Sequence, residues 1–231
     1  MKTNIDALEG ARLPSRRGFI RQIGLASALY AVRGAFAEQL ARKTPPVEQG
    51  PFYPPKLPLD TDNDLIIVND SITPAIGAIT HLSGRLLNAS GDPIKNATVE
   101  IWSTDHNGVY LAERGSQNRF DSHFQGFGRF LTSSTGEYYF RTLKPVPYPG
   151  RQAPHIHFKI KMKAQPAWTT QLFIKGDPGN ERDGVYNEIG SQSDRDAVTV
   201  DFTPLKNSPA AELAARFDIV LDVTPRDESH G

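Results

Sequence analysis

The chain contains no cysteine. Disulfide staples, thiolate zinc sites, iron–sulfur clusters and a cysteine nucleophile are therefore excluded. Export into an oxidising compartment would raise no thiol chemistry. Net charge is lacking too: 26 basic residues balance 26 acidic ones. No basic field is available to draw in nucleic acid. No apolar run reaches the ~18 residues of a membrane span. No nucleotide-binding glycine motif is present, so nothing signals a nicotinamide or flavin cofactor. Long helical patterns are scarce. Glycine and proline are abundant, at 19 and 18 of 231 residues. They punctuate the chain into short segments and favour an all-β fold with one sizeable core.

Residues 1–37 read as a targeting segment. Ser15-Arg16-Arg17-Gly18-Phe19-Ile20-Arg21 resembles the twin-arginine export motif. A modestly apolar run from Ile23 to Val32 follows, then Arg33, then Ala35-Phe36-Ala37, an A-x-A cleavage pattern. The expectation is export to the periplasm or the cell exterior, with cleavage after Ala37. Retention of the segment as an anchor is the alternative. Residues 38–63 hold Pro45, Pro46, Pro51, Pro54, Pro55 and Pro58 and read as an extended arm.

Residues 64–231 carry the β signals. Leu65–Val68 is a short apolar run. His81–Leu87, Ala97–Ser103, His155–Lys163, Trp168–Lys175, Ala197–Phe202 and Phe217–Val223 read as strands. Phe130–Thr132 and Glu137–Leu143, joined by a Ser133–Gly136 turn, read as a hairpin. Only Ala210–Arg216 reads as helical. Short strands with turn signals between them predict a β-sandwich of mixed strands, with long loops covering the site and little helix.

The most informative stretch is Pro145-Val146-Pro147-Tyr148-Pro149-Gly150-Arg151-Gln152-Ala153-Pro154-His155-Ile156-His157-Phe158. Its first half is a stiff, irregular loop. Its second half enters a strand, where side chains i and i+2 share a face. His155 and His157 then point one way, with Lys159 and Lys161, while Ile156, Phe158, Ile160 and Met162 point into the core. On a helix the two imidazoles would lie roughly 200° apart. Two imidazoles on one face and the Tyr148 phenol seven residues upstream form a candidate metal-ligand set. A solvated H-x-H pair is the bland alternative. Glu100–Tyr110 offers a second phenol, Tyr110, after an Asp105-His106-Asn107-Gly108 turn. His81, His106, His123 and His230 lack partner spacing and read as surface or loop residues. Tyr138 and Tyr139 read as strand packing.

Several ordered segments resemble the intradiol ring-cleavage dioxygenases. They are Gln49-Gly50-Pro51-Phe52-Tyr53-Pro54, then Trp102-x-x-Asp105-x-x-Gly108-x-Tyr110, Lys144-Pro145-x-Pro147-Tyr148-Pro149, His155-Ile156-His157-Phe158 and Thr170-Gln171-Leu172-Phe173-Ile174-x-Gly176-Asp177-Pro178. The resemblance implies a non-haem Fe(III) held by Tyr110, Tyr148, His155 and His157. Phenolate is a hard anionic donor suited to Fe(III), whereas zinc favours His, Cys and carboxylate. It also implies a catechol-type substrate, O2 as co-substrate, displacement of Tyr148 by the substrate, and a cis,cis-muconate-type product.

An arginine usually stands three residues before the first histidine in that family. Here Gln152 holds that place and Arg151 precedes it. Either could stabilise charge on the substrate; a cation would do so more strongly. Gln171 resembles a glutamine that orients substrate, and Tyr53 is a candidate pocket residue. The competing readings are a non-catalytic β-sandwich binding module and a zinc hydrolase built on the H-x-H pair. The sequence leaves the individual catechol and the oligomeric state open, a homo-oligomer being one option.

Overall fold

The computed structural model describes residues 42–69, 71–113 and 119–222. The expected targeting segment at 1–37, its expected cleavage point and His230 lie outside these residues. Among the described residues ten strands are present: β1 (Ile79–Asn88), β2 (Thr98–Trp102), β3 (Phe127–Leu131), β4 (Glu137–Leu143), β5 (His155–Lys161), β6 (Trp168–Ile174), β7 (Thr199–Val200), β8 (Thr203–Pro204), β9 (Leu213–Arg216) and β10 (Ile219–Leu221). Two short helices, α1 (Gly184–Glu188) and α2 (Gln192–Ala197), follow β6. Among the described residues no helix is long and apolar enough to cross a membrane.

The strands form two five-stranded sheets. In the first, β1 pairs antiparallel with β4 along one edge and parallel with β9 and then β10 along the other. In the second, the order is β3-β2-β5-β6-β7. Alternation along β5 sends Ile156, Phe158 and Ile160 into the shared core with Leu82, Leu86 and Phe140 of the first sheet. This inward face leaves His155 and His157 on the outer face of the second sheet, as strand periodicity requires.

Three expectations are corrected. Ala210–Arg216 is not helical. Leu213–Arg216 is β9, paired with the parallel edge of β1. Alanine's helix preference is a fraction of a kcal/mol per residue, which the ladder and core burial override. Phe130–Thr132 and Glu137–Leu143 do not form a hairpin ladder. β3 pairs with β2 in one sheet and β4 with β1 in the other. The Ser133–Gly136 turn spans the sheets at a corner, where Thr132 Oγ1 donates to Ile94 O at 2.8 Å and accepts from Ala97 N at 2.9 Å. His81 is not a surface residue. It is buried, 2.6 Å from the Tyr139 phenol oxygen and 3.2 Å from Glu212 Oε2.

The arm is part of the fold. Val47 N donates to Thr169 O and Thr170 Oγ1 to Pro45 O. It thus lies along the edge of β6 that the two-residue β7 leaves uncovered. It then turns Gly50–Tyr53 over the histidine face.

Gly84 marks the closest approach in the first sheet. A Cβ there would lie 1.8 Å from the Phe217 carbonyl oxygen and 2.6 Å from the Tyr138 phenol oxygen, and that phenol donates to the same carbonyl. Backbone cannot yield as a flexible side chain can. Gly84→Ala is expected to destabilise by about 3 kcal/mol or more. At ~2–4 °C per kcal/mol this lowers Tm by on the order of 10 °C. Calorimetry showing a Tm within a degree of wild type would contradict this packing.

Candidate metal centre

Each functional side chain is placed by a local device. β5 carries His155 and His157. In the adjoining strands, Trp102 stands opposite His157 on β2 and Gln171 opposite it on β6. Trp102 lies flat on the His157 imidazole, with centroids 4.7 Å apart and planes 4° apart. Tyr110 comes from a loop folded around Asp105. That carboxylate accepts from Asn107 N, Val109 N and Asp121 N, and Glu113 accepts from Tyr110 N. Tyr148 and Arg151 flank a tight turn, bonded to each other through both backbone amides. Pro149 supplies the fixed φ at its second position, and Gly150 the φ of +94° at its third. The turn pairs Tyr148 with Arg151 rather than with Gln152.

The phenol oxygen of Tyr110 lies 3.2 Å from His155 Nε2 and 3.0 Å from His157 Nε2. The Tyr148 ring meets that of Tyr110 edge-on at 5.2 Å and packs against the His155 ring. Tyr110, His155 and His157 are buried, and Tyr148 is half-buried. The Nδ1 of His155 faces Ala153 O at 2.7 Å. That carbonyl fixes the proton on Nδ1 and leaves the Nε2 lone pair aimed at Tyr110.

Burial pushes the Tyr110 phenol well above its ordinary pKa and raises that of Tyr148. Burial, and then the Arg151 charge, lowers His155 to about 3. His157, fully enclosed, falls well below the usual imidazole range. Without a metal the four groups are thus two neutral phenols and two neutral imidazoles. The imidazoles are already in ligand form. The phenols give up their protons only to a strong local positive charge.

This donor set fits a ferric ion. Adjacent ligands about 2.1 Å from a metal stand about 3 Å apart in an octahedron, the spacing seen between Tyr110 and each histidine. Two phenolates would offset most of a trivalent charge in a site with little solvent. Among the described residues no group of three His, Cys, Asp or Glu side chains is placed to hold a metal, which is the donor set zinc favours.

Around the four groups lies an aromatic wall. Phe52 stacks on Tyr110 at 4.6 Å and meets Tyr148 edge-on at 6.0 Å. Leu57 and Leu111 pack against the same cluster. Arg151 is buried. Its Nε lies 2.9 Å from Asp183 Oδ2, and its Nη2 donates to Gln171 Oε1 at 2.8 Å. Gln171 is fully buried on an interior strand, and its Nε2 donates to Glu48 O.

Two candidates stand apart from this group. Gln152 is exposed. Tyr53 sits one layer back, edge-on to Trp102, with its phenol donating to Glu100 at 2.9 Å and Lys159 over its ring at 4.1 Å. Sequence reasoning missed Asp183 and Phe52. Phe52 lies inside a quoted motif, so position beside Gly50-Pro51 was its available signal. Asp183, 32 residues from Arg151, had none.

A family model described as Dioxygenase matches residues 48–223. The protocatechuate 3,4-dioxygenase beta chain of Burkholderia cepacia is 31% identical over 157 residues, covering 63% of this chain and 66% of that one. Hydroxyquinol 1,2-dioxygenase of Corynebacterium glutamicum is 28% identical over 196 residues, covering 74% and 61%. The chain thus spans less than two thirds of the length of these curated relatives. The dioxygenase domain of a dioxygenase–carbohydrate-binding fusion from Streptomyces sp. SirexAA-E superposes with a TM-score of 0.60 at 26% identity, over 79% of this chain and all of that one. With a family match that covers most of the sequence, the four candidate ligands included, the chain belongs to the intradiol ring-cleavage dioxygenases.

Proposed function

We propose that this protein is a non-haem ferric dioxygenase that opens a catechol-type ring between its two hydroxyl-bearing carbons with O2, giving a cis,cis-muconate-type product. The convergence of Tyr110, Tyr148, His155 and His157, each ring packed against another of the four, carries the reading. Family members generally use non-haem iron, and the donor chemistry here suits it. Bound there, ferric iron would withdraw electron density from a chelated catecholate and open its ring carbon to O2.

The chain's own side chains supply the rest. His155 and His157, locked in β5, are the rigid half of the ligand set. Tyr110, buried under Phe52, stays in place. Tyr148 is less enclosed and sits on a turn, so it is the phenol that yields to substrate, taking a catechol proton at Oη. The ring of Phe52 and the side chains of Leu57 and Leu111 give an aromatic substrate an apolar surface and exclude water. Arg151, with its charge held near Tyr148, stabilises negative charge that builds on the substrate oxygens.

The deciding experiment is metal analysis followed by O2 uptake with catechol, protocatechuate, hydroxyquinol and substituted catechols, with product identification. Stoichiometric iron and a ring-opened diacid are expected. Iron-free protein that binds but never opens a catechol would identify a binding module, and zinc with hydrolytic activity would identify a hydrolase.

The twin-arginine reading of residues 1–37 is a proposal of the same standing. Replacing Arg16 and Arg17 together with lysine is expected to trap precursor in the cytoplasm. Unchanged export of that double variant, followed by fractionation and immunoblotting, would refute it.

A further inference from the structure

We propose that Asp183 is a positioning residue for ring cleavage, holding the Arg151 guanidinium against Gln171 and bracing the loop that delivers His155. The proposal rests on the reaction assigned above. Asp183 is 1% exposed and both its oxygens are committed. Oδ1 accepts from Arg151 Nε at 3.1 Å and from Tyr186 N at 3.1 Å. Oδ2 accepts from Arg151 Nε at 2.9 Å and from Ala153 N at 3.1 Å. One carboxylate thus grips the arginine and the peptide of Ala153, whose carbonyl sets the His155 tautomer.

The anchor itself is rigid. Asp183 caps α1, and its own N–H donates to Asn180 O at 3.2 Å. The guanidinium is consequently held by Asp183 at Nε and by Gln171 at Nη2, on the turn whose backbone amides pair Arg151 with Tyr148. A free arginine side chain samples many rotamers, and its planar fork acts only in a fixed orientation. Burial would push the Asp183 carboxyl up. The Arg151 and backbone hydrogen bonds outweigh burial and hold it below the usual carboxylate range, so the grip stays ionic at neutral pH. A carboxylate that only capped a five-residue helix would have no need of Arg151.

The test compares Asp183→Asn, which keeps the shape and loses the charge, with Asp183→Ser, which keeps a favoured cap for α1 and releases the arginine. Both are measured for iron content, Tm, anaerobic catechol binding by absorbance, and kcat and KM. Each is then repeated in an Arg151→Met background. Retained iron, weaker catechol binding and an approximately tenfold or greater fall in kcat are expected. In the Arg151→Met background the same substitutions should change kcat/KM by less than about threefold, because coupled residues are not additive. Wild-type turnover in both single variants, or additive losses in the double variants, would overturn the positioning role and leave the dioxygenase reading standing. A wild-type protein that opens no catechol ring would sink that reading and this proposal with it.

Discussion

His157→Ala should leave a folded protein with almost no bound iron, no visible colour and no measurable ring cleavage. Loss of a group that merely orients a ligand costs about 10–100-fold in metal affinity, and loss of the ligand itself should cost more. His157 is also enclosed between Trp102 and Tyr110. The tyrosines should behave differently from the histidines and from each other. Tyr148→Phe keeps three donors and should retain iron with altered colour and slow turnover, since the half-buried turn residue is the one displaced by substrate. Tyr110→Phe should change the spectrum both with and without catechol, because Tyr110 stays bound throughout. Absorbance and iron analysis of the three variants, with circular dichroism to verify folding, check this. A colourless, iron-free wild-type protein after growth in ample iron would sink the assignment.

Arg151→Lys should lower kcat roughly tenfold or more while iron content stays near wild type. Lysine retains a charge but not the fork that spans Asp183 and Gln171. It is the more informative substitution, because Arg151→Ala would leave the buried Asp183 carboxylate unpaired and cost about 3–5 kcal/mol of stability. Gln152→Ala should turn over normally, its side chain being exposed. A normal Arg151→Lys enzyme beside a crippled Gln152→Ala enzyme would transfer the role to Gln152.

Much of the candidate metal centre was legible because its parts are local. The period of two along His155–Lys161 puts both imidazoles on one face and Ile156, Phe158 and Ile160 on the other. The Pro149-Gly150 pair states a turn of defined shape. Neither required knowledge of distant residues. The offset of one residue between Gln152 and Arg151 was ambiguous in sequence. The turn pairs Tyr148 with Arg151, which is buried, and leaves Gln152 exposed, so the structure favours Arg151.

The sequence by itself determined the all-β class, the absence of cysteine chemistry, and the H-x-H face, all of which follow from residue type and period. Only the tertiary structure decided that Leu213–Arg216 is a strand, that β3 and β4 belong to different sheets, that Tyr53 lies behind Trp102, and that Asp183 grips Arg151. The physical reason is the same in each case. Local preferences amount to fractions of a kcal/mol per residue, while an unpaired strand edge or an isolated buried charge costs several. The partners that satisfy such groups are chosen by the packing of the whole chain.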